Sequence, residues 1–332
     1  MQAICFEQGG DASVLRTATL PDATISRDDQ VLVRLKAAGI NPIDTKIRSA
    51  PERFPVSLPV IPGCDGAGVV AAVGSAVTSF AVGDEVYFSQ PGFLGRQGTY
   101  AQLVAVDAVL LARKPVSLSF EEAAAAPLVL ITAWEALHDR ARTASGQRVL
   151  IHAGAGGVGH VAIQLAREAG AHVTVTVSNP DKAAFARKLG AEQVIDYTSE
   201  DVTGSVMAWT GGAGVDIAFD TVGGKVLDGC FRCVKPYGDV VTILAPGPDT
   251  DWSQARLRNL RFSMELMLSP VMLGLEAAQR HQADILTRCA ELFDRERLRI
   301  AVAERFPLEQ AAAAQTFLET AHPSGKVVLT ID

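Results

Sequence analysis

Gly154, Gly156 and Gly159 stand in the order G-x-G-x-x-G within VLIHAGAGGVGHVAIQLAREAGAHVTVTV, residues Val149 to Val177. The chemistry that this spacing serves is phosphate binding by backbone. The first glycine permits a tight turn, the second removes the Cβ that would hold the chain away from a pyrophosphate, and the third lets a helix lie close to a sheet. N–H groups at the start of that helix, those of Gly157 and Val158 among them, then face the phosphates. Context gives the motif its specificity. Val149 to His152 reads as a short apolar strand, Val161 to Glu168 as an amphipathic helix, and a second strand ends at Val177. Strand, turn, helix and strand without a gap make a dinucleotide-binding unit. At the end of the second strand, where NAD sites usually carry Asp or Glu to bind the ribose 2′-hydroxyl, this chain has Ser178. Serine leaves room for the additional phosphate of NADP; the competing reading is that Ser178 caps the next helix.

Other chemistry-bearing types are sparse. The five cysteines, Cys5, Cys64, Cys230, Cys233 and Cys289, are odd in number and scattered, which argues against a disulfide framework. Cys230 and Cys233 form a C-x-x-C with no second pair and no paired histidines, so they read as thiols on a helix face without an assigned function.

The elements that must position these residues fall into two textures. Up to about Phe120, VLVRLKAAGI, GAGVVAAVG, GDEVYF and TYAQLVAV are short strands broken by Gly, Pro and Asn-Pro, which predicts a β-dominated domain. FEEAAAAPLVLITAWEALHDRA then reads as one or two helices leading into the strand at Val149. Beyond Val177 come a helix Pro180 to Leu189, strand QVIDY, a helix through Trp209, strand VDIAFD (Val215 to Asp220), a helix, and strand DVVTIL (Asp239 to Leu244). This alternation predicts an α/β fold with a doubly wound parallel sheet. A further strand RFSMEL (Arg261 to Leu266), a long helix Gln282 to Phe293 and a final strand GKVVLTID follow. The expected domains are 1–122, 123–264 and a return of 265–332 to the first domain. With 48% hydrophobic and 20% charged residues the chain has the composition of a globular protein. A formal charge of −7 opposes a nucleic-acid or anionic-membrane partner, and no apolar run approaches a membrane span, so a cytoplasmic location is expected.

With those residues in view, the chain resembles the medium-chain dehydrogenase/reductase superfamily, in its zinc-free quinone oxidoreductase branch related to zeta-crystallin. Besides the glycine turn, AAGINPIDTKIRSA (Ala37 to Ala50), PGCDGAGVVAAVGSAVTSFAVGDEVY (Pro62 to Tyr87) and AAAAPLVLITAWEAL (Ala123 to Leu137) carry the likeness, which spans nearly the whole chain. The resemblance implies a GroES-like catalytic domain, an inserted Rossmann domain and an active site in the cleft between them. Where zinc alcohol dehydrogenases of the superfamily place Cys, His and Cys on catalytic zinc, this chain has Asn41, Cys64 and Leu128, a set that cannot supply three metal ligands. No metal is expected.

The resemblance further places Asn41 beside the nicotinamide, its amide donating to a substrate carbonyl, and Thr132 with its hydroxyl facing the same ring. A turn residue and a helix-packing residue are the plainer readings of the two. Asp44 caps or closes the turn. Lys182 resembles a lysine that binds the 2′-phosphate and Tyr197 a tyrosine closing the adenine-ribose side, although a solvated lysine is an alternative and Asp181 has the wrong sign for phosphate. Thr221 and Val222 with the glycines after them, and Ile243, Leu244 and Ala245, end strands where open α/β sheets bind ligands. Lys326 resembles a basic residue returning to the cleft, against the alternative of an exposed strand lysine. Lys46 and Phe54 stand where relatives often have tyrosine.

The implied function is metal-independent hydride transfer from NADPH to a quinone or related conjugated carbonyl, with water as the proton source. Alternatives are an alkenal, enone or enoyl-thioester reductase, or a non-catalytic, crystallin-like NADPH-binding protein. A homodimer joined through the sheet edge at Arg261 to Leu266 is expected.

Overall fold

The structure, a computed structural model, describes all 332 residues. They form two compact units, one of residues 1–128, 268–296 and 300–332, the other of residues 129–267 and 297–299.

The first unit opens with a hairpin-like pair, β1 (Gln2–Cys5) and β2 (Arg16–Thr19), followed by β3 (Gln30–Ile40) and helix α1 (Pro42–Ser49). Strands β4 (Asp65–Val73), β5 (Glu85–Ser89), β6 (Leu103–Asp107) and β7 (Leu111–Arg113) and helix α2 (Phe120–Ala125) complete its N-terminal part. Along β3 the residues Val31, Val33, Leu35 and Ala37 are buried and alternate with more exposed neighbours, the period of a strand with one covered face. After Ala37 both faces are covered, because α2 packs there. A Cβ on Gly39 would lie 2.3 Å from the Ala124 carbonyl oxygen, so glycine on the strand and alanines on the helix permit the approach. Asn41, for which a turn residue is the plainer reading, is the N-cap of α1, and Pro42 starts the helix at a position where its missing N–H is no loss.

Helix α3 (Pro127–Trp134) carries the chain into the second unit at Val129 and runs on as one π-helical stretch, Glu135–Arg140. Then come β8 (Arg148–Ile151), α4 (Gly157–Glu168), β9 (His172–Val177), α5 (Pro180–Lys188), β10 (Gln193–Asp196), α6 (Val202–Trp209) and β11 (Val215–Asp220). Helix α7 (Lys225–Cys233), β12 (Val234–Thr242), α8 (Ser253–Leu257) and β13 (Arg261–Met264) close it. The six strands pair in parallel in the order β10-β9-β8-β11-β12-β13. Their apolar runs suit a sheet covered on both faces. The order reverses between β8 and β11, so the strand ends there form the crevice where such sheets bind ligands. Cys230 and Cys233 lie in the core beside Phe231 and Val240, and burial raises the pKa of both thiols, which keeps them inert.

The chain returns to the first unit as α9 (Ser269–Met272), α10 (Glu276–Asp294), β14 (Val302–Pro307), α11 (Ala311–Ala321) and β15 (Lys326–Thr330). The large sheet runs β14-β15-β3-β4-β5-β7, with β6 also on β3. Only its β14–β15 pair is parallel. Helix α10 starts six residues earlier than the apolar pattern of Gln282 to Phe293 indicates, its first turns being polar. Strand β12 likewise starts at Val234 rather than Asp239, because Pro236 and Tyr237, the latter at φ 63°, resemble a turn in sequence. No helix is long and apolar enough to cross a membrane.

Candidate functional site

In the second unit the glycine turn lies where β8 passes into α4. A Cβ on Gly154 would fall 2.6 Å from the Val175 side chain of β9, and one on Gly159 2.2 Å from the Ala153 carbonyl oxygen. Both glycines are therefore required by close packing. Gly156, the N-cap of α4, is different: the nearest atom to its absent Cβ is the Ala153 oxygen at 3.2 Å, and the rest of its surroundings is open. That open position beside the first N–H groups of α4, including those of Gly157 and Val158, fits a pyrophosphate.

Ser178 does not cap α5. The side chain of Asn179 does, accepting from the Lys182 N–H at 2.9 Å, while the Lys182 ammonium donates to Ser178 Oγ at 3.3 Å. A hydroxyl and an ammonium thus meet at the end of β9, with no carboxylate between them, a donor set that suits a 2′-phosphate. Tyr197, just past β10, is exposed. After β11, the Thr221 hydroxyl donates to the His152 carbonyl at 2.8 Å, and Val222 is half exposed. Ile243, Leu244 and Ala245 lie just beyond β12, which ends at Thr242. Thr132 is buried within α3.

In the first unit Asn41 and Lys326 meet in a buried polar cluster. The Lys326 ammonium donates to the Ile40 carbonyl at 2.8 Å and to Asn41 Oδ1, while Asn41 Nδ2 donates to Asp65 Oδ2 at 2.9 Å. The other Asp65 oxygen accepts from the backbone N–H of Leu128 at 3.1 Å. Asp44 Oδ2 accepts from the Asn41 N–H at 2.8 Å and from the Tyr100 hydroxyl at 3.3 Å, so Asp44 caps α1 and is also tied to the β6 side of the unit. The alternatives for two residues narrow here. Lys326 is not an exposed strand lysine but almost fully buried. Asn41 is not a free carbonyl donor: its oxygen and one of its two amide hydrogens are engaged within the cluster, which leaves a single N–H.

Two carboxyl groups share this interior with one cation. Burial raises the pKa of Asp65 against the opposing pull of Lys326, and it lowers that of Lys326 against the pull of Asp65 and Asp44. Asp44, without a cation of its own, is raised to about 7, chiefly by burial. Burial, then the charges of Asp44 and Asp65, hold the Cys64 thiol well above its ordinary range. An un-ionised thiol, an engaged amide and the alkyl side chain of Leu128 are not a zinc donor set. Lys46 is exposed on α1 and Phe54 partly buried in the following loop. Sequence reasoning missed Asp65 and Tyr100; both lie far from Asn41 in the chain, and only the fold of the sheet unites them.

A domain organised in this way, with an antiparallel GroES-like sheet and a parallel Rossmann sheet inserted, is that of the alcohol dehydrogenases and their relatives. Residues 27–116 match the family model for the alcohol dehydrogenase GroES-like domain, and residues 189–329 that for a zinc-binding dehydrogenase. A quinone oxidoreductase of Pseudomonas aeruginosa is 36% identical over 302 residues, 90% of each chain. A chloroplastic NADPH-dependent alkenal/one oxidoreductase of Arabidopsis thaliana is 32% identical over 99% of this chain and 79% of its own length. The solved structure of an alcohol dehydrogenase superfamily protein from Novosphingobium aromaticivorans superposes with a TM-score of 0.92 at 37% identity, covering 100% of both chains. The chain belongs to the medium-chain dehydrogenase/reductase superfamily, in its zinc-free quinone oxidoreductase branch.

Proposed function

We propose that the chain is an NADPH-dependent reductase acting on quinones or related conjugated carbonyls without a catalytic metal. The observation that carries this reading is the coenzyme cradle: an open Gly156 at the start of α4, with the Ser178 hydroxyl and Lys182 ammonium placed together at the end of β9. Bound there, NADPH supplies hydride from its dihydronicotinamide ring. Around it, the helix-start N–H groups hold the pyrophosphate, Lys182 neutralises the 2′-phosphate, Tyr197 covers the adenine-ribose side, and Thr221, Val222, Ile243, Leu244 and Ala245 flank the ribose and the ring.

The family resemblance gives the remaining Asn41 N–H, in the first unit, and the Thr132 hydroxyl, in the second, each as a candidate donor to a carbonyl that gains negative charge. The Lys326 ammonium on Asn41 Oδ1 draws electron density from the amide and strengthens that N–H as a donor. Water delivers the proton. The Arabidopsis relative, named an NADPH-dependent alkenal/one oxidoreductase, favours a second reading in which activated alkenes are the acceptors of the hydride. The chain acts as a homodimer through β13, which pairs with β12 alone and leaves Met264 58% and, just beyond it, Leu266 51% exposed. The working location is the cytoplasm.

The test is an NADPH-oxidation screen over small quinones, enals, enones and enoyl thioesters with a metal chelator present. Turnover with at least one class, undiminished by the chelator, is the expected result. NADPH binding without turnover on any of them would make the chain a crystallin-like binding protein.

A further inference from the structure

The geometry points to Asp220 as a positioning residue for the nicotinamide end of the coenzyme, acting by locking the loop after β11 to the loop after β12. This rests on the proposed coenzyme site.

Asp220 is the last residue of β11 and is fully buried. One carboxylate oxygen accepts the N–H groups of Val222 and Gly223, each at 2.9 Å, which fixes the loop that follows β11. The other accepts the Thr242 hydroxyl at 2.9 Å, at the end of β12. Thr242 Oγ1 in turn accepts the Leu244 N–H at 3.2 Å, and the Ile243 N–H donates to the Asp220 carbonyl at 3.2 Å. One side chain therefore joins both loops assigned to the ribose and ring. They are also in steric contact: Gly223, at φ 79°, has room for no Cβ, which would fall 2.9 Å from Leu244.

The brace continues across the sheet. Thr221 donates to the His152 carbonyl, and the His152 ring and the Ala153 N–H both meet Thr176 Oγ1 at 3.1 Å, so the ends of β12, β11, β8 and β9 are linked in series. The Ala153 end of the series borders the glycine turn, whereas Asp220 and Thr242 stand at the loops assigned to the ribose and ring, so the effect of these two falls on the far end of the coenzyme. A displacement of about 1 Å at a reacting centre costs roughly a hundredfold in rate, so a brace of this kind governs turnover more than affinity.

Thr242 offers the cleanest test. Thr242→Val removes the side-chain link between the loops, and with it the acceptor of the Leu244 N–H, but leaves the Val222 and Gly223 bonds to the Asp220 carboxylate, whereas Thr242→Ser keeps the hydroxyl. The readouts are the NADPH dissociation constant from nicotinamide fluorescence, kcat and KM with the best acceptor of the screen, and the melting temperature. The expected result is a fall in kcat of about tenfold for Thr242→Val, the scale of one charge-assisted hydrogen bond, with a smaller change in NADPH affinity and near-complete recovery in Thr242→Ser. Asp220→Asn should also recover most of the rate lost in Asp220→Ala. Its carboxamide still accepts both N–H groups, and Thr242 can turn its hydroxyl toward the Leu244 carbonyl, 3.2 Å away.

A folded Thr242→Val variant with wild-type kcat would overturn the inference, as would equal loss in the asparagine and alanine variants of Asp220. Lys182→Ala separates this failure from failure of the site itself. If Lys182→Ala weakens NADPH binding while Thr242→Val changes nothing, the coenzyme site stands and the positioning role falls. If neither variant alters binding or turnover, both fall together.

Discussion

Asp44→Asn should remove a specific part of the dependence of stability on pH. In the folded chain burial raises the Asp44 carboxyl from an ordinary 3.8 to about 7, and Lys326, the cation of this cluster, opposes that only weakly. Between those two values the folded protein keeps a proton that the unfolded chain has released. Stability therefore declines as pH rises across the window, and the decline is complete above about 7. At about 1.4 kcal/mol per tenfold change in proton concentration, the whole effect is about 4 kcal/mol. His152 acts in the opposite sense: burial lowers its pKa from 6.5 to about 4, so acidification through that range costs stability as the unfolded chain takes up a proton. Wild type alone sums both trends, and the difference between wild type and Asp44→Asn cancels the histidine. The asparagine oxygen can still accept the Asn41 N–H, so α1 keeps its cap. Urea unfolding of the two proteins at pH 5, 6, 7 and 8 is the assay. The variant should gain about 3 kcal/mol on wild type between pH 5 and pH 8, with most of the gain accrued by pH 7 and the rest of the effect lying below pH 5. A difference that stays constant with pH would show that Asp44 is ionised throughout, and the reading of one cation shared by two carboxyls would be wrong.

Asn41→Ala should lower kcat by about 10²- to 10³-fold, the cost of losing a preorganised donor, with a smaller effect on NADPH affinity. It should also lower stability by about 1–3 kcal/mol by leaving Asp65 and Lys326 short of a partner, which chemical denaturation measures. Lys182→Ala should reduce the ratio of kcat/KM for NADPH over NADH by about tenfold or more, and an unchanged ratio would remove the 2′-phosphate from this lysine. Met264→Lys, at the exposed end of β13, should shift the protein from dimer to monomer in sedimentation velocity with the coenzyme affinity intact.

The second unit was legible because its information is local. Parallel strands buried on both faces are continuous apolar runs, so Val215–Asp220 has the same bounds in sequence and structure, and the glycine turn announces the helix that follows it. Asp239 to Leu244 was recognised only in part, since its first half carries a proline and an exposed tyrosine at positive φ that imitate a turn. Ser178 and Lys182 could be named but not paired. It is Asn179, a residue without a motif, that takes the capping role and frees the serine. The first unit was legible as strands and opaque as a site. Asn41 finds Asp65 at 24 residues' separation and Lys326 at 285, and nothing in the local pattern of β15 distinguishes a lysine buried under the sheet from one on its surface. Asp220 escaped notice for a related reason, since an acidic residue ending a strand reads as a turn former until its three hydrogen-bond donors are seen.

The central claim is that this chain passes hydride directly from NADPH to a conjugated carbonyl, and a single-turnover experiment with NADPH deuterated at nicotinamide C4 tests it most directly. Stoichiometric enzyme, labelled coenzyme and a small enone are mixed without oxygen, and the product is analysed by mass spectrometry and NMR. The account predicts one deuterium at the carbon β to the carbonyl, a solvent hydrogen at the α carbon, and loss of NADPH absorbance in equal amount, with the same coenzyme consumption when a quinone replaces the enone. Tightly bound NADPH that remains unoxidised with every acceptor, or a reduced product carrying no deuterium, would contradict it.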